Sequence, residues 1–244
     1  MLLSVENLRK TFSGTPVLHG IDLEIEKGDV VAIIGPSGSG KTTLLRCLNF
    51  LEKADGGRLT FADETFDLAK ISRNNVLRIR KRTGFVFQNY NLFLNKTALE
   101  NITEGLIVGR GIKKELAQAK AHELLARFSL THRENAYPCE LSGGQQQRVA
   151  IARALAGDPD VIYFDEPTSA LDPELTRDVL SILKELAQQG LTMVVVTHEL
   201  SFAKGVANKI VFMEAGHVVE AGDAQTIFGN PKELRTKEFL ETLA

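Results

Sequence analysis

Apolar residues follow two rhythms along this chain. Four short unbroken runs predict buried strands: Val30 to Ile34, Gly84 to Phe87, Val161 to Phe164, and Met193 to Thr197. Leu3 to Phe12 predicts a first strand with a turn at Ser13-Gly14. Val17 to Ile25 alternates apolar and polar residues and predicts a strand with one wet face. Arg58 to Phe61 follows a turn at Asp55-Gly56-Gly57, and Ile210 to Met213 with Val218 to Glu220 predicts a hairpin around Glu214-Ala215-Gly216. Helical spacing appears elsewhere, over Leu44 to Leu51 and over the basic stretch Asn75 to Arg82. The Thr97-x-x-Glu100 capping box opens a helix with Gly109 as its stop, and Lys113 to Phe128 carries Leu116, Leu124, Leu125 and Phe128 on one face. Ser142 to Ala156 is a further helix. Another begins at Asp172 and Pro173 and runs to Gln189, closed by Gly190.

Short apolar strands alternating with helices predict an α/β fold, a mostly parallel sheet with an antiparallel β portion. Between the strands, Thr97 to Ala156 is mostly helical. No linker-like or low-complexity stretch sets it apart. We expect one domain over 1–244, with a catalytic core at 1–92 and 158–244 and an inserted helical subdomain at 93–157.

Composition narrows the function classes. The balance of 43% hydrophobic and 25% charged residues is that of a soluble globular chain. A net charge of −2 supplies no global basic field, so nucleic acid is not an expected partner. Cys47 and Cys139 lack metal-ligand spacing and read as reduced thiols. Met1-Leu2-Leu3 meets Glu6 and Arg9 too soon for a signal peptide, and no apolar run is long enough to span a bilayer. Work at a membrane would need other subunits to do the spanning.

The chemistry starts at Gly35-Pro36-Ser37-Gly38-Ser39-Gly40-Lys41-Thr42-Thr43. A strand precedes it and a helix follows, the context of a phosphate-binding loop and of a P-loop NTPase core. The glycines let successive N–H groups turn inward on an anion, and the helix adds its positive end. Lys41 can reach the terminal phosphates, and the Thr42 hydroxyl can hold Mg²⁺. A plain strand-to-helix turn does not need Lys41-Thr42. The loop therefore predicts binding of ATP or a similar triphosphate.

Three more polar signals stand at strand ends: Gln88 after Phe87, Asp165-Glu166 after Phe164, and His198 after Thr197. In a parallel sheet with right-handed crossovers these ends share one edge with the loop. Asp165 suits the metal, and Glu166 can orient or deprotonate the attacking water. His198 can contact the terminal phosphate, and Gln88 can bond both metal and water. Leu141-Ser142-Gly143-Gly144-Gln145 opens another helix, with Ser142 as N-cap and two glycines that bare backbone N–H groups. This second anion grip either binds a second nucleotide or completes a site on another copy of the chain. A two-fold homodimer would pair Ser142 of one subunit with Gly38 of the other.

These motifs, in this order, resemble the full set of an ABC transporter ATPase. Ser169-Ala170-Leu171-Asp172 belongs to that set, as does Gln146-Gln147-Arg148 after the second grip. The resemblance covers essentially the whole chain. It implies that Phe12 stacks on adenine, where the family more often has Tyr, and it puts Val17 in the nucleotide-binding set. From the residues alone, Phe12 reads equally as strand core. It also implies that Ser169 to Asp172 crosses the dimer, and that Asn89 to Phe93 lies where the family docks its membrane subunits. Tyr137-Pro138, Phe164 to Leu175 and Pro231 to Leu240 are similar to bacterial polar amino-acid importers, and Phe87 to Phe93 with Asn95-Lys96-Thr97 is most similar to cystine-type members. The chain departs from them at Leu94-Asn95 and Leu234, which leaves the cargo open. The resemblance thus implies an ATPase at the cytoplasmic face of the cell membrane. Its expected partners are a second copy, two integral-membrane permease subunits and, indirectly, an extracytoplasmic solute-binding protein. An exporter ATPase with separate membrane subunits and a soluble ABC ATPase are the competing readings.

Overall fold

The computed structural model describes residues 1–242. In chain order the elements are β1 (Leu3–Phe12), β2 (Thr15–Ile25), β3 (Val30–Ile34), α1 (Lys41–Leu48), β4 (Gly56–Phe61), β5 (Glu64–Asp67), α2 (Arg73–Arg80) and β6 (Thr83–Val86). They continue with α3 (Ala98–Arg110), α4 (Lys114–Arg127), α5 (Gly143–Leu155), β7 (Val161–Asp165), α6 (Pro173–Gln188), β8 (Thr192–Val196), α7 (Leu200–Val206), β9 (Lys209–Glu214), β10 (His217–Asp223), α8 (Ala224–Gly229) and α9 (Leu234–Glu241). The chain divides into two compact units, 1–80 with 186–244, and 81–185.

The first unit holds an antiparallel sheet in the order β2-β1-β4-β5. Ser13 and Gly14 both have positive φ, 48° and 84°, so the β1–β2 link is a two-residue turn matched to strand twist. The same unit holds β3 between β8 and β9, both parallel to it, with β10 antiparallel to β9. All five residues of β3 and of β8 are buried, which is why their sequences are unbroken apolar runs. Leu44, Leu45 and Leu48 bury the inner face of α1.

The second unit holds the parallel pair β6–β7 with α3, α4 and α5. The predicted helical stretch 93–157 lies within it. Thr97 caps α3 with a complete capping box: its side chain accepts from Glu100 N, and the Glu100 carboxylate accepts from Thr97 N. The α3 helix passes Gly109 and ends at Gly111, which takes the left-handed conformation at φ 70° that a C-terminal glycine allows. Ala117, Ala121, Leu124 and Leu125 bury one face of α4, whereas the Leu116 predicted for that face is 63% exposed. No helix among the described residues is long and apolar enough to cross a membrane.

Candidate functional site

In the first unit, parallel pairing brings two of the predicted strand ends together. Ile33 pairs with Val196 of β8 and Ile34 with Phe212 of β9, so Gly35 and His198 leave the sheet at one edge. Gly35, Gly38 and Gly40 have φ of 144°, 78° and 96°, where side chains are strained. A Cβ on Gly35 would lie 2.0 Å from the Met213 carbonyl oxygen, and one on Gly40 would lie 2.9 Å from Leu18. With Gly40 as its left-handed N-cap, α1 begins at Lys41 rather than at Leu44, and no acidic side chain stands in its first turn. Lys41, Thr42 and Thr43 form the first turn of that helix, at its positive end. Lys41 is 4% exposed, and its Nζ donates to the carbonyls of Gly35 (2.9 Å) and Pro36 (2.8 Å). The ammonium is thereby held over the loop by the loop itself.

The β9–β10 turn supports this loop from behind, a role not read from the sequence. Gly216 N donates to Ser39 O (3.1 Å), and His19 N donates to Gly216 O (3.0 Å). Gly216 has φ 77°, and a Cβ there would sit 2.3 Å from Val17 O. A left-handed glycine in a hairpin turn was the only signal, and it marks a turn without marking what the turn touches. Val17 is half-buried and its carbonyl abuts both Gly40 and Gly216. Phe12 ends β1 at the hairpin, 41% exposed, with Lys10 Nζ 4.5 Å from its ring centroid. It is therefore not a core residue. His198 is exposed and is neither core nor cap: Glu199 stands at the N-cap of α7, while His198 O accepts from Leu200 N (3.1 Å).

The second unit brings the other two strand ends together. Val86 pairs with Phe164, so Gln88 and Asp165-Glu166 emerge at the same edge of β6–β7. Asp165, the last residue of β7, is 1% exposed, and Glu166 is half-buried with φ 46°. A left-handed glutamate is strained. The loop that follows holds it there: the N and Oγ of Ser169 both donate to Glu166 O (3.3 and 3.1 Å), and Gln147 Nε2 from α5 donates to Pro167 O (2.8 Å). Asp172 caps α6, its Oδ1 accepting from Glu174 N and Leu175 N.

Ser142 caps α5 as predicted. Its Oγ accepts from Gln145 N (3.3 Å), and Gln145 Oε1 accepts from Ser142 N (3.1 Å). Gly143 and Gly144 are also packing positions. A Cβ on Gly143 would meet Tyr90 Oη at 2.9 Å, and one on Gly144 would meet Leu175 at 2.7 Å. Glycine here lets the loop after Gln88 and the start of α6 close on the helix.

The sequence profile of the ABC transporter family matches residues 18–169. The chain belongs to the ABC transporter family. The matched stretch holds the phosphate loop, Gln88, Ser142 to Gln145 and Asp165-Glu166, with His198 beyond it. As an ATP-binding cassette of this family the chain is an ATPase. It is 55% identical to the L-cystine transport system ATP-binding protein TcyN of Escherichia coli (strain K12), over 98% of this chain and 97% of that one. It is 50% identical to the arginine transport ATP-binding protein ArtM of Bacillus subtilis (strain 168), over 99% and 100%. The dimeric ATP-binding cassette MJ0796, solved in a post-hydrolysis state with ADP and Pi, superposes with a TM-score of 0.81 at 36% identity, covering 91% of this chain and 99% of that one.

Proposed function

We propose that this ABC cassette is the ATP-hydrolysing subunit of a bacterial importer for a polar amino acid, with cystine the first cargo to test. The full-length likeness to amino-acid transport ATP-binding proteins carries this reading. The residues we assign to ATP binding and turnover are Lys41, Thr42, Gln88, Asp165, Glu166 and His198. Lys41 and the glycine-lined N–H groups hold the phosphates, Phe12 and Val17 take the adenine side, and His198 contacts the terminal phosphate. Glu166 accepts a proton from the attacking water, oriented with Gln88.

Mg²⁺ suits the donors present. It is held by few protein oxygens plus phosphates and water, and a threonine hydroxyl, a glutamine amide oxygen and an aspartate carboxylate are oxygen donors of that kind. Thr42, Gln88 and the buried Asp165 would hold it, and it would neutralise charge on the phosphate oxygens.

Ser142 to Gln145 of a second copy closes the site, so ATP joins two chains and hydrolysis releases them. That cycle drives two permease subunits from the cytoplasmic face of the membrane, with a solute-binding protein delivering cargo outside. Deleting the gene and measuring uptake of radiolabelled cystine, arginine and glutamine tests the cargo. Loss of cystine uptake, restored by the wild-type chain and not by Glu166→Gln, is expected. Unchanged uptake of all three would contradict the amino-acid reading.

A further inference from the structure

One helix of the second unit grips two loops. From its fifth residue, α5 sends Gln147 to Pro167, next to Glu166. Near its end it sends Arg153 to the loop after Gln88: Nη1 donates to Asn91 O (2.8 Å) and Nη2 to Tyr90 O (2.9 Å). The guanidinium lies 5.8 Å from the Phe93 ring centroid. Burial holds its pKa below the ordinary arginine value, the mark of a desolvated cation. Such a group is costly unless its donors are engaged, and here they engage backbone carbonyls. The residues it holds are themselves strained, Tyr90 at φ 60° and Asn91 at 48°. Tyr90 also lies against Gly143 and donates through its hydroxyl to Ala170 O (3.4 Å). Gln88 is two residues upstream of this grip, and Ser142 to Gln145 form the other end of the same helix.

We propose that Arg153 is a positioning residue for ATP turnover: its two-pronged grip makes the loop carrying Gln88 and the helix opened by Ser142 move as one piece. The proposal rests on the roles given above to Gln88 and Ser142. A lysine keeps the charge but places it at one point, so it cannot hold both carbonyls in the same geometry.

The test uses the purified full chain with Arg153→Lys, Gln88→Ala and their combination, assayed for kcat and KM with ATP well below the melting temperature. Arg153→Lys should lower kcat about ten-fold, the order expected for losing a charge-assisted hydrogen bond, and leave KM within about two-fold. In the Gln88→Ala background the same change should cost less than about two-fold, because the group it positions is gone. A purely structural residue would lose as much in both backgrounds, and that result would overturn the proposal. So would an unchanged kcat in Arg153→Lys. If Arg153→Lys does not fold, Arg153→Gln is measured the same way, and failure of both to fold makes Arg153 a folding residue and overturns the proposal. Gln88→Ala with wild-type kcat would instead sink the role given to Gln88, a failure visible without Arg153.

Discussion

Gly35 has less freedom than any neighbour in the phosphate loop, because a methyl group there would overlap the Met213 carbonyl at 2.0 Å. Gly35→Ala should therefore push β9 or the loop out of place. We expect a loss of about 3 kcal/mol in stability or more, and ATP affinity at least ten-fold weaker, read by thermal melting and by nucleotide titration. The two cysteines differ just as sharply. Cys47 is buried in α1 and burial pushes its thiol up to about 12, while Cys139 is exposed. At pH 8 the native protein should take one alkyl group, on Cys139, and the unfolded protein two, counted by mass spectrometry. Lys41 and Thr42, proposed above to contact phosphate and metal, were legible as candidates because glycine spacing announces their loop. The contacts of Gly216, Gln147 and Arg153 were not. Each acts by meeting a backbone carbonyl or N–H of a segment distant in sequence, and side-chain type says nothing of that meeting.

At the scale of elements, unbroken apolar runs and longer periodic helices were legible, and short segments without either signal were not. The Thr97 capping box, the Ser142 and Asp172 caps and the four apolar runs all appear in the structure. Two candidate stops compete at the end of α3. Gly109 stays helical and the left-handed Gly111 ends it, a choice that spacing does not decide. Strand β5 is four residues long, α7 seven and α8 six, too short to display a period, and none was predicted. Helix α9 was missed as well, and it is fastened by Arg235, which pairs with Glu214 of β9 and with Glu238. That hydrogen bond and charge hold the Glu214 carboxyl below its ordinary value. A lowered carboxylate stabilises the fold above the ordinary glutamate range, and the contribution is lost as pH falls through the lowered value. Amide protection in α9 should thus fall on acidification below about pH 4, and Arg235→Ala should remove that dependence in hydrogen exchange. The effect should be small, because the pair is solvent-screened.

At the scale of the whole molecule, the residues proposed for the ATP chemistry fall in both compact units. One holds Lys41 and Thr42 after β3 and His198 after β8, and the other holds Gln88 after β6 and Asp165 and Glu166 at the end of β7, with Ser142 opening α5. The family and the ATPase activity were legible because the motifs are local and their order is characteristic. The cargo was not, since an ATP-driven subunit of an importer meets permease rather than amino acid. The central claim is that Glu166 activates water in a site closed by a second copy of the chain. Size-exclusion chromatography of purified Glu166→Gln with ATP, read together with its turnover, tests it most directly. The account predicts retained ATP, turnover at least a hundred-fold below wild type, about what loss of a general base costs, and elution as a dimer that ADP does not support. Near wild-type turnover, or a monomer carrying ATP, would contradict it.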